Sequence, residues 1–587
     1  MPATLLTPNP DAESLDERVA AQYQAAMSRA TPLEAQDRLD ALGDDTKDAI
    51  AQALRLPELK ADLVPPEHLA TLISAKNSNA AGAERLRAHI QDLLDHPESF
   101  TPRYERRYRL LLAHCRSVSP LQAWAMSTLL GQDSVRGYEQ MPLRANLRFP
   151  RDHAEQLQTQ IGWYFFAGSC TGDDGKDYGV EVMLFRAALL PPPLAARLGL
   201  SDVENQVLEL HLAIAEAGDR HYQAVPYLVA GTTGLLEFRG NTVYARMGKN
   251  VVEALHPGSV FPLHIAAAGT CRGSQAPVEL AVDLTFASAK PHFLQGAEGC
   301  MPCCGGIGTL DYETPHLRLD AGKSRLRIKG RDVGLDSGRF WFEHQWGTGL
   351  IPAGSPRDPV LRAVSRLGVG PPGGWDWFFA HFTNGGDLLF YWLHTNEYRG
   401  FFEQTGAEPP GTMTVPLTGK YVDADGRAID APGTLRVTEW VKAEDSPDPA
   451  RYWITHTWYP NAWEFRLGEE VPDEMRAFRM IPIVSDGSAG AFAFGAQYSE
   501  GAVYLRDAQG KDLGRGWAEG VLYADPRRNI LALAGLPVTQ QALAVFDPQP
   551  PSLVAKLWSL AYVSWPPHRK RLKRLLTDCV EAGLPKL

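Results

Sequence analysis

Cysteine is scarce in this sequence, and its scarcity excludes the small folds that disulfides hold together. Seven cysteines among 587 residues are too few for a disulfide framework, which favours a reducing compartment. The N-terminal segment, Met1–Leu6, lacks the basic stretch and the long apolar core of a signal peptide. No apolar run approaches the ~18–20 residues that a membrane-spanning helix needs. We therefore expect a cytoplasmic protein.

Positive charge is also in deficit. A formal net charge of -11 argues against nucleic acid as the main partner. The exception is 558–574, where Trp558, Tyr562 and Trp565 precede the basic run His568–Arg574. This segment is compatible with peripheral contact with the inner face of an anionic membrane. A solvated terminal helix docked on the rest of the chain is the simpler interpretation.

Familiar catalytic and metal-binding motifs are missing as well. The chain contains no G-x-S-x-G elbow, no H-E-x-x-H pair and no Walker motif. Cys300 and Cys303 form a C-x-x-C pair, but no second pair accompanies it, so a loop with free thiols is favoured over zinc. We expect neither a cofactor nor a metal.

Periodicity divides the chain into helical and β regions. Apolar residues recur every three or four positions at both ends, whereas from about residue 145 short runs of period two alternate with turn residues. About 400 residues of this kind are too many for one small barrel, so two antiparallel barrels are the natural division. The expected regions are an N-terminal helical region at 1–140, a first lipocalin-like barrel at 145–365, a second at 374–545 and C-terminal helices at 550–587.

The densest group of side chains suited to chemistry lies between Trp341 and Trp377. Protonation of an unactivated alkene needs an acid whose pKa is raised by burial, and aromatic faces that stabilise the resulting cation. Glu343, Asp376 and Asp387 are the candidate acids, and the sequence does not decide among them. His344 is the candidate to orient an acid or water, or to act as a base.

Period-two geometry constrains which of these residues share a face. On a strand, His344 and Trp346 point to one side and Glu343 to the other, so we expect the first two inside and Glu343 outside or at a rim. Asp376 likewise opposes its flanking tryptophans, and a structural role for it is about as compatible as a catalytic one. Glu209 and His211 share a strand face, as a buried pair would.

The same stretches resemble a known family. Its signature segments are matched by Phe342–Gly347, Trp375–Trp377, Asn384–Leu388, Ile161–Gly168 and Lys290–Gly296. On these residues the chain resembles the lipocalin-like family of carotenoid 1,2-hydratases and AttH-like proteins. Relatives include fungal phytoalexin hydratases and decalin-forming pericyclases. The sequence departs from the pattern where Ile161 and Gly162 replace an opening Glu-Trp, and in the long insertion from Thr348 to Gly373.

The resemblance implies a mainly β fold with two tandem lipocalin-like barrels and a site at or near their junction. It also implies an enzyme, a hydratase/lyase or an isomerase/cyclase, that acts on a polyene or terpenoid-like substrate without a cofactor. His344 and Trp346 match the family's H-x-W element. The alternatives are a carrier of a lipophilic metabolite and a pericyclase, and the oligomeric state is left open. The expected walls of the substrate site are Trp341, Trp346, Trp375, Trp377, Trp163 and Tyr312.

Overall fold

The computed structural model describes residues 138–139, 145–348, 372–395, 413–443, 458–521, 523 and 553–570, with short interruptions inside 189–200, 225–233, 257, 272–276, 296–306 and 486–496. The predicted helical region at 1–140 lies outside these residues apart from 138–139, and so does the C-terminal segment 571–587. The four-region division therefore stays a prediction at both ends of the chain.

The described part of the chain is mostly β-structure, which confirms the predicted fold class. Its first sheet contains 15 strands. They are β1 (Ile161–Gly172), β2 (Asp177–Ala188), β3 (Gln206–Glu216), β4 (His221–Gln223), β5 (Tyr227–Ala230), β6 (Leu236–Phe238), β7 (Tyr244–Met247), β8 (Asn250–Ala254), β9 (Leu263–Cys271), β10 (Val278–Ser288), β11 (Phe293–Leu294), β12 (Cys300–Cys303), β13 (Ile307–Leu319), β14 (Arg325–Ile328) and β15 (Arg331–Thr348).

The second sheet contains ten strands among the described residues. They are β16 (Pro372–Phe382), β17 (Asp387–Thr395), β18 (Met413–Val422), β19 (Ala428–Asp430), β20 (Gly433–Lys442), β21 (Trp458–Leu467), β22 (Ala477–Pro482), β23 (Gly490–Ala491), β24 (Gln497–Arg506) and β25 (Asp512–Val521). Because β17 also pairs with β18, eight of these strands close into a barrel.

Helical structure is sparse in the described part of the chain. Short 3-10 helices occur at Arg151–His153, Ala321–Lys323 and Asp473–Met475, and one α-helix, α1, spans Leu553–Ser564. The last of these confirms the helix predicted to begin the C-terminal region. None of the helices within the described ranges is long and apolar enough to cross a membrane.

Turns that contain glycine join neighbouring strands. Asp173–Lys176 connects β1 to β2, and Asn384–Gly386 connects β16 to β17. Gly175 and Gly385 have φ angles of 76° and 88°, in the left-handed region that favours glycine. Their positions fix the register of both hairpins. The turns at 423–426 and 507–510 join β18 to β19 and β24 to β25 in the same way.

The two sheets share the same strand order. The order β2-β1-β15-β13-β10-β9-β8 in the first sheet is repeated as β17-β16-β25-β24-β22-β21-β20 in the second. The register is repeated too, since Glu313 pairs with Glu343 in the first sheet and Glu500 with Glu519 in the second. Each position near these pairs therefore has a counterpart in the other barrel.

Three apolar cores follow from strand alternation. One face of the first sheet encloses a core around Phe166, Phe340 and Phe342, and the inside of the second barrel is packed around Phe378 and Phe465. The opposite faces of β1, β2 and β15 pack against those of β16, β17, β24 and β25. This third core is the inter-barrel interface, and its strands are consequently buried on both sides.

Candidate functional site

His344 lies inside the first barrel, as the period-two pattern predicts. Its ring centroid is 4.6 Å from those of Trp346 and Tyr164 and 5.4 Å from that of Tyr312. Neither ring nitrogen has a hydrogen-bond partner of standard geometry among the described residues. Burial, with the nearby His153 and Arg186, lowers its pKa well below the usual value. His344 is therefore a neutral imidazole in an aromatic core.

Glu343 faces the other way, into the inter-barrel interface. Trp163 Nε1 donates a hydrogen bond of 3.1 Å to its Oε2. Trp341 and Trp377 lie in the same core, with ring centroids 6.3 Å apart, and Trp375 packs against its edge. Burial raises the pKa of Glu343 to about 7. The structure thus brings together the predicted acid and the predicted tryptophans of the interface, but not Trp346 or Tyr312.

The interface also holds carboxyls that sequence reasoning missed. Trp341 Nε1 donates to Glu313 Oε2 (2.5 Å), and Trp517 Nε1 donates to Glu500 Oε2 (3.1 Å) at the corresponding place in the second sheet. Burial, and then the neighbouring carboxylates, raise the pKa of each carboxyl in this group above its usual value. The missed carboxyls are Glu181, Asp311, Glu313, Glu500 and Glu519.

Asp376 lies on the inner face of β16, inside the second barrel. The hydroxyl of Tyr523 donates a 2.9 Å hydrogen bond to its Oδ2, whereas Oδ1 is buried without a partner among the described residues. The rings of Tyr459 and Trp440 stand 5.5 and 6.1 Å from that of Tyr523. Burial raises the pKa of Asp376 to about 8. At neutral pH this group is mainly a carboxylic acid, surrounded by aromatic rings.

The residues beside Asp376 on the inner face of the second barrel have small side chains or none. Ser499 pairs with Gly520, and Gly520 pairs with Asp376, so the three form one row across β24, β25 and β16. In the first barrel the corresponding row is Tyr312, His344 and Tyr164. Large rings in one barrel are thus replaced by two small residues and an acid in the other.

A cleft opens where these small residues lie. Ser499, Gly501, Ala518 and Trp463 are among its lining residues. A Cβ atom added at Gly501 would meet nothing within 4 Å, and Trp463 Nε1 has no hydrogen-bond partner in the described part of the chain. A Cβ atom at Gly520 would meet Asp376 Oδ1 at 3.1 Å and the Tyr523 ring at 3.3 Å, so these two side chains occupy the space above Gly520. Ser499 lies about 10 Å from Asp376 across two strand spacings.

Asp387 has a different environment from the other predicted acids. His381 Nδ1 lies 2.7 Å and His316 Nδ1 3.2 Å from its Oδ1, and Lys290 Nζ lies 2.6 Å from its Oδ2. Although burial opposes it, these partners hold the pKa of Asp387 well below its usual value. An ionised carboxylate has no proton to give. Contrary to the prediction, Asp387 is therefore not suited to be the proton donor, and its contacts with Lys290 and His316 join the two sheets.

The geometry also separates His344 from Asp376. They lie on the inner faces of different sheets, with the inter-barrel interface between them. The expectation that His344 orients the acid is therefore not met for Asp376. The predicted pair Glu209 and His211 is present, with Oε1 and Nε2 2.9 Å apart, and His211 Nδ1 contacts the hydroxyl of Tyr498 at 2.5 Å. This chain of contacts crosses from the first sheet to the second.

Sequence comparison assigns the fold to a known family, since the model of the AttH-like family matches residues 140–520. The chain belongs to the AttH-like family. This match covers both sheets and confirms the resemblance inferred from the sequence. No curated protein sequence matches the chain.

Similar solved structures include a putative AttH from Nitrosomonas europaea, with 19% sequence identity and a TM-score of 0.45 over 66% of this chain and 100% of that one. Kievitone hydratase from Nectria haematococca has 12% identity and a TM-score of 0.40 over 66% and 96%. CghA with Sch210972 has 10% identity and a TM-score of 0.28 over 62% and 89%. Similarities this weak transfer neither a reaction nor a substrate to the AttH-like chain described here.

Proposed function

We propose that this AttH-like protein is an enzyme that protonates an apolar, unsaturated substrate and so hydrates, isomerises or cyclises it. Asp376 is the proposed proton donor, and a polyene or terpenoid-like molecule is the proposed substrate class. The supporting observation is the environment of Asp376. A buried carboxyl with a pKa of about 8 keeps its proton at neutral pH and can deliver it.

The proposed step balances with water as the one further reactant for hydration and with none for isomerisation or cyclisation. The proton of Asp376 moves to an alkene carbon, where the π electrons form the new C–H bond and leave a cation on the neighbouring carbon. The rings of Tyr459 and Trp440 flank Tyr523, whose hydroxyl binds Asp376, and these rings are the groups proposed to stabilise that positive charge. Water then adds, or a neighbouring C–H bond or double bond supplies electrons. In each case one proton returns to the Asp376 carboxylate.

The cleft provides the space that this step requires. Its lining mixes apolar side chains, such as those of Val441 and Val503, with the polar residues His221, Asn461, Ser499 and Glu500. Asp376 itself is buried, and exclusion of bulk water strengthens the interaction of such an acid with a substrate. This mixed lining suits a substrate whose hydrocarbon body carries a polar group.

The first experiment identifies the substrate. Native mass spectrometry, with organic extraction of protein purified from its own host, should reveal a co-purifying lipophilic molecule. That compound, or acyclic isoprenoid alkenes of increasing length where none is found, is then incubated with the protein in D₂O. We expect deuterium at carbon in the product, because the proton of Asp376 exchanges with solvent before it is transferred.

Two variants then test the proton donor. Asp376→Asn keeps the shape of the side chain but removes the acid, so we expect turnover to fall at least about a hundredfold. Glu181→Gln is the matched control, since it also removes a buried carboxyl with a pKa near 8 but lies outside the second barrel. Full activity of Asp376→Asn would refute the assignment. Tight binding of an unchanged ligand by both variants and the wild type would favour a carrier.

Peripheral membrane contact and a cytoplasmic location are further proposals for the same protein. Leu557, Trp558, Leu560 and Trp565 of the C-terminal helical segment are exposed, and Arg569 and Lys570 follow them. Such a combination suits the interface of an anionic bilayer. Co-sedimentation with vesicles that contain 30% anionic lipid tests this, and equal binding by Trp558→Ser/Trp565→Ser would contradict it.

A further inference from the structure

The inter-barrel interface contains buried carboxyls that the proposed reaction does not use. Asp311, Glu313 and Glu343 each offer an oxygen, and these oxygens lie within 4.8 Å of one another. All three residues are buried. No lysine or arginine forms an ion pair with any of them in the described part of the chain. Unpaired carboxylates are costly in an apolar interface, so this group is neutralised either by protons, in line with the raised pKa values of its members, or by a cation.

Gln295 supplies a second, independent observation. Its side chain is 2% exposed, and its amide end lies 2.6 Å from Asp311 Oδ2 and also against Glu313 Oε1. If the NH₂ group faces the carboxyls, the amide donates two hydrogen bonds and its oxygen faces donors on the other side; in the opposite orientation the NH₂ group faces only donors. If the oxygen faces them, three acceptor oxygens converge on one point, which is how oxygen ligands surround a cation. The two orientations predict different chemistry.

Indole groups hold the carboxylates in place for such a role. Trp341 Nε1 binds Glu313 Oε2, and Trp163 Nε1 binds Glu343 Oε2. Each glutamate thereby keeps its other oxygen available, and Asp311 Oδ1 is buried without a partner among the described residues. Ligating carboxylates in metal sites are typically oriented by outer hydrogen-bond donors of this kind.

We propose that Asp311, Glu313, Glu343 and the side-chain oxygen of Gln295 bind one hard divalent cation of the size of Ca²⁺ between the barrels. The three carboxylate oxygens lie within 4.8 Å of one another. They are thus no farther apart than two Ca²⁺–oxygen distances of ~2.4 Å, so that one ion can contact all three. The all-oxygen set disfavours zinc, which prefers nitrogen and sulfur. The cation neutralises the carboxylates and connects β13 and β15 to the segment after β11.

The test measures metal binding and not activity. The full-length protein is stripped with a chelator and titrated with Mn²⁺, followed by electron paramagnetic resonance, and with Ca²⁺, followed by calorimetry. We expect one site per chain and a rise in Tm on binding. Asp311→Asn should weaken both ions at least about tenfold, whereas Glu181→Gln, which removes a buried carboxyl of the same interface, should leave the affinity unchanged.

Gln295→Glu distinguishes the two orientations of the amide. It also keeps the proposal testable if the Asp311→Asn variant does not fold. If the oxygen of Gln295 is a ligand, the added carboxylate preserves or tightens Mn²⁺ binding. If the NH₂ group is the donor, the change removes two hydrogen bonds and adds repulsion, so Tm falls and Mn²⁺ does not restore it. A fall in Tm that Mn²⁺ does not restore would overturn the proposal. The same holds if the stripped protein binds no ion, or if Asp311→Asn does not weaken binding.

Discussion

Lys290 reaches from the first sheet to the second and places its Nζ 2.6 Å from Oδ2 of Asp387. The same ammonium donates to the carbonyl oxygens of Gly385 and Asp423, in two turns of the second barrel. His316, whose φ of 61° is unusual for a non-glycine residue, reaches Asp387 from the first sheet as well. A strained residue and a buried lysine thus hold one carboxylate at the edge of the interface.

Asp387→Asn should therefore destabilise the protein without a direct effect on the chemistry. Removal of one partner from a buried ionic group leaves the others uncompensated, at a cost of about 3–5 kcal/mol. Because the folded pKa of Asp387 is lowered, this stability is present above the ordinary carboxyl pKa of about 4 and is lost as the pH falls below it. Urea denaturation of both proteins at pH 7 and pH 3.5 measures the difference, which should shrink at the lower pH.

Asp376 should have the opposite effect on stability as the pH changes. Its folded pKa is raised to about 8, whereas in the unfolded chain it is about 4. Between these values the unfolded chain loses a proton that the folded chain keeps, so the free energy of unfolding falls as the pH rises from about 4 to 8. Denaturation of the wild type and Asp376→Asn at pH 5 and pH 8 checks this. An equal loss in both proteins would contradict the raised pKa.

The cleft in the second barrel can be filled without strain at one position. Gly501 has open space around its missing Cβ, and its counterpart in the first barrel is Thr314. Gly501→Val should leave Tm unchanged or raise it slightly, since the loss of a glycine stabilises by about 0.4–1 kcal/mol where the backbone permits. We expect substrate turnover or ligand binding to fall at least about tenfold, because the cleft is narrowed. Unaltered binding would place the ligand elsewhere.

His344→Phe distinguishes an aromatic core residue from a catalytic one. A buried imidazole whose nitrogens have no hydrogen-bond partner of standard geometry among the described residues is costly. Its replacement by an apolar ring of similar shape is expected to be neutral or stabilising. Thermal unfolding should therefore occur at an equal or higher Tm, with turnover retained within about threefold. Loss of turnover in a stable His344→Phe variant would restore the role that the resemblance assigns to this residue.

Strand alternation and turn chemistry made much of the fold predictable. The opposite facing of Glu343 and His344, the pairing of His344 with Trp346 and the Asp173–Lys176 hairpin all follow from local rules. The burial of Glu343 does not. A strand that alternates polar and apolar residues normally has one face in water, and here a second barrel covers that face.

The cluster of buried carboxyls in the interface could not be predicted from the local sequence pattern. Glu181, Glu313 and Glu500 lie far apart in sequence and each sits among ordinary strand residues, so nothing nearby marks them as buried. One signal was available: Trp341–Glu343 and Trp517–Glu519 repeat the spacing Trp-x-Glu in the two barrels. Comparison of the first-barrel and second-barrel sequences could have revealed this repeat, whose two copies lie opposite each other across the interface.

The strand β15 has a consequence for how this sequence can change. Alternate residues of one continuous strand serve two separate compartments, with Trp341 and Glu343 in the interface and Phe342 and His344 in the first barrel. A single-residue insertion or deletion just before Trp341 would reverse the direction in which each of these side chains points. The Glu343 carboxylate would then enter the aromatic interior of the first barrel, and the His344 imidazole would lie beside the carboxyls of the interface. Length changes in this strand are therefore tolerable only in steps of two.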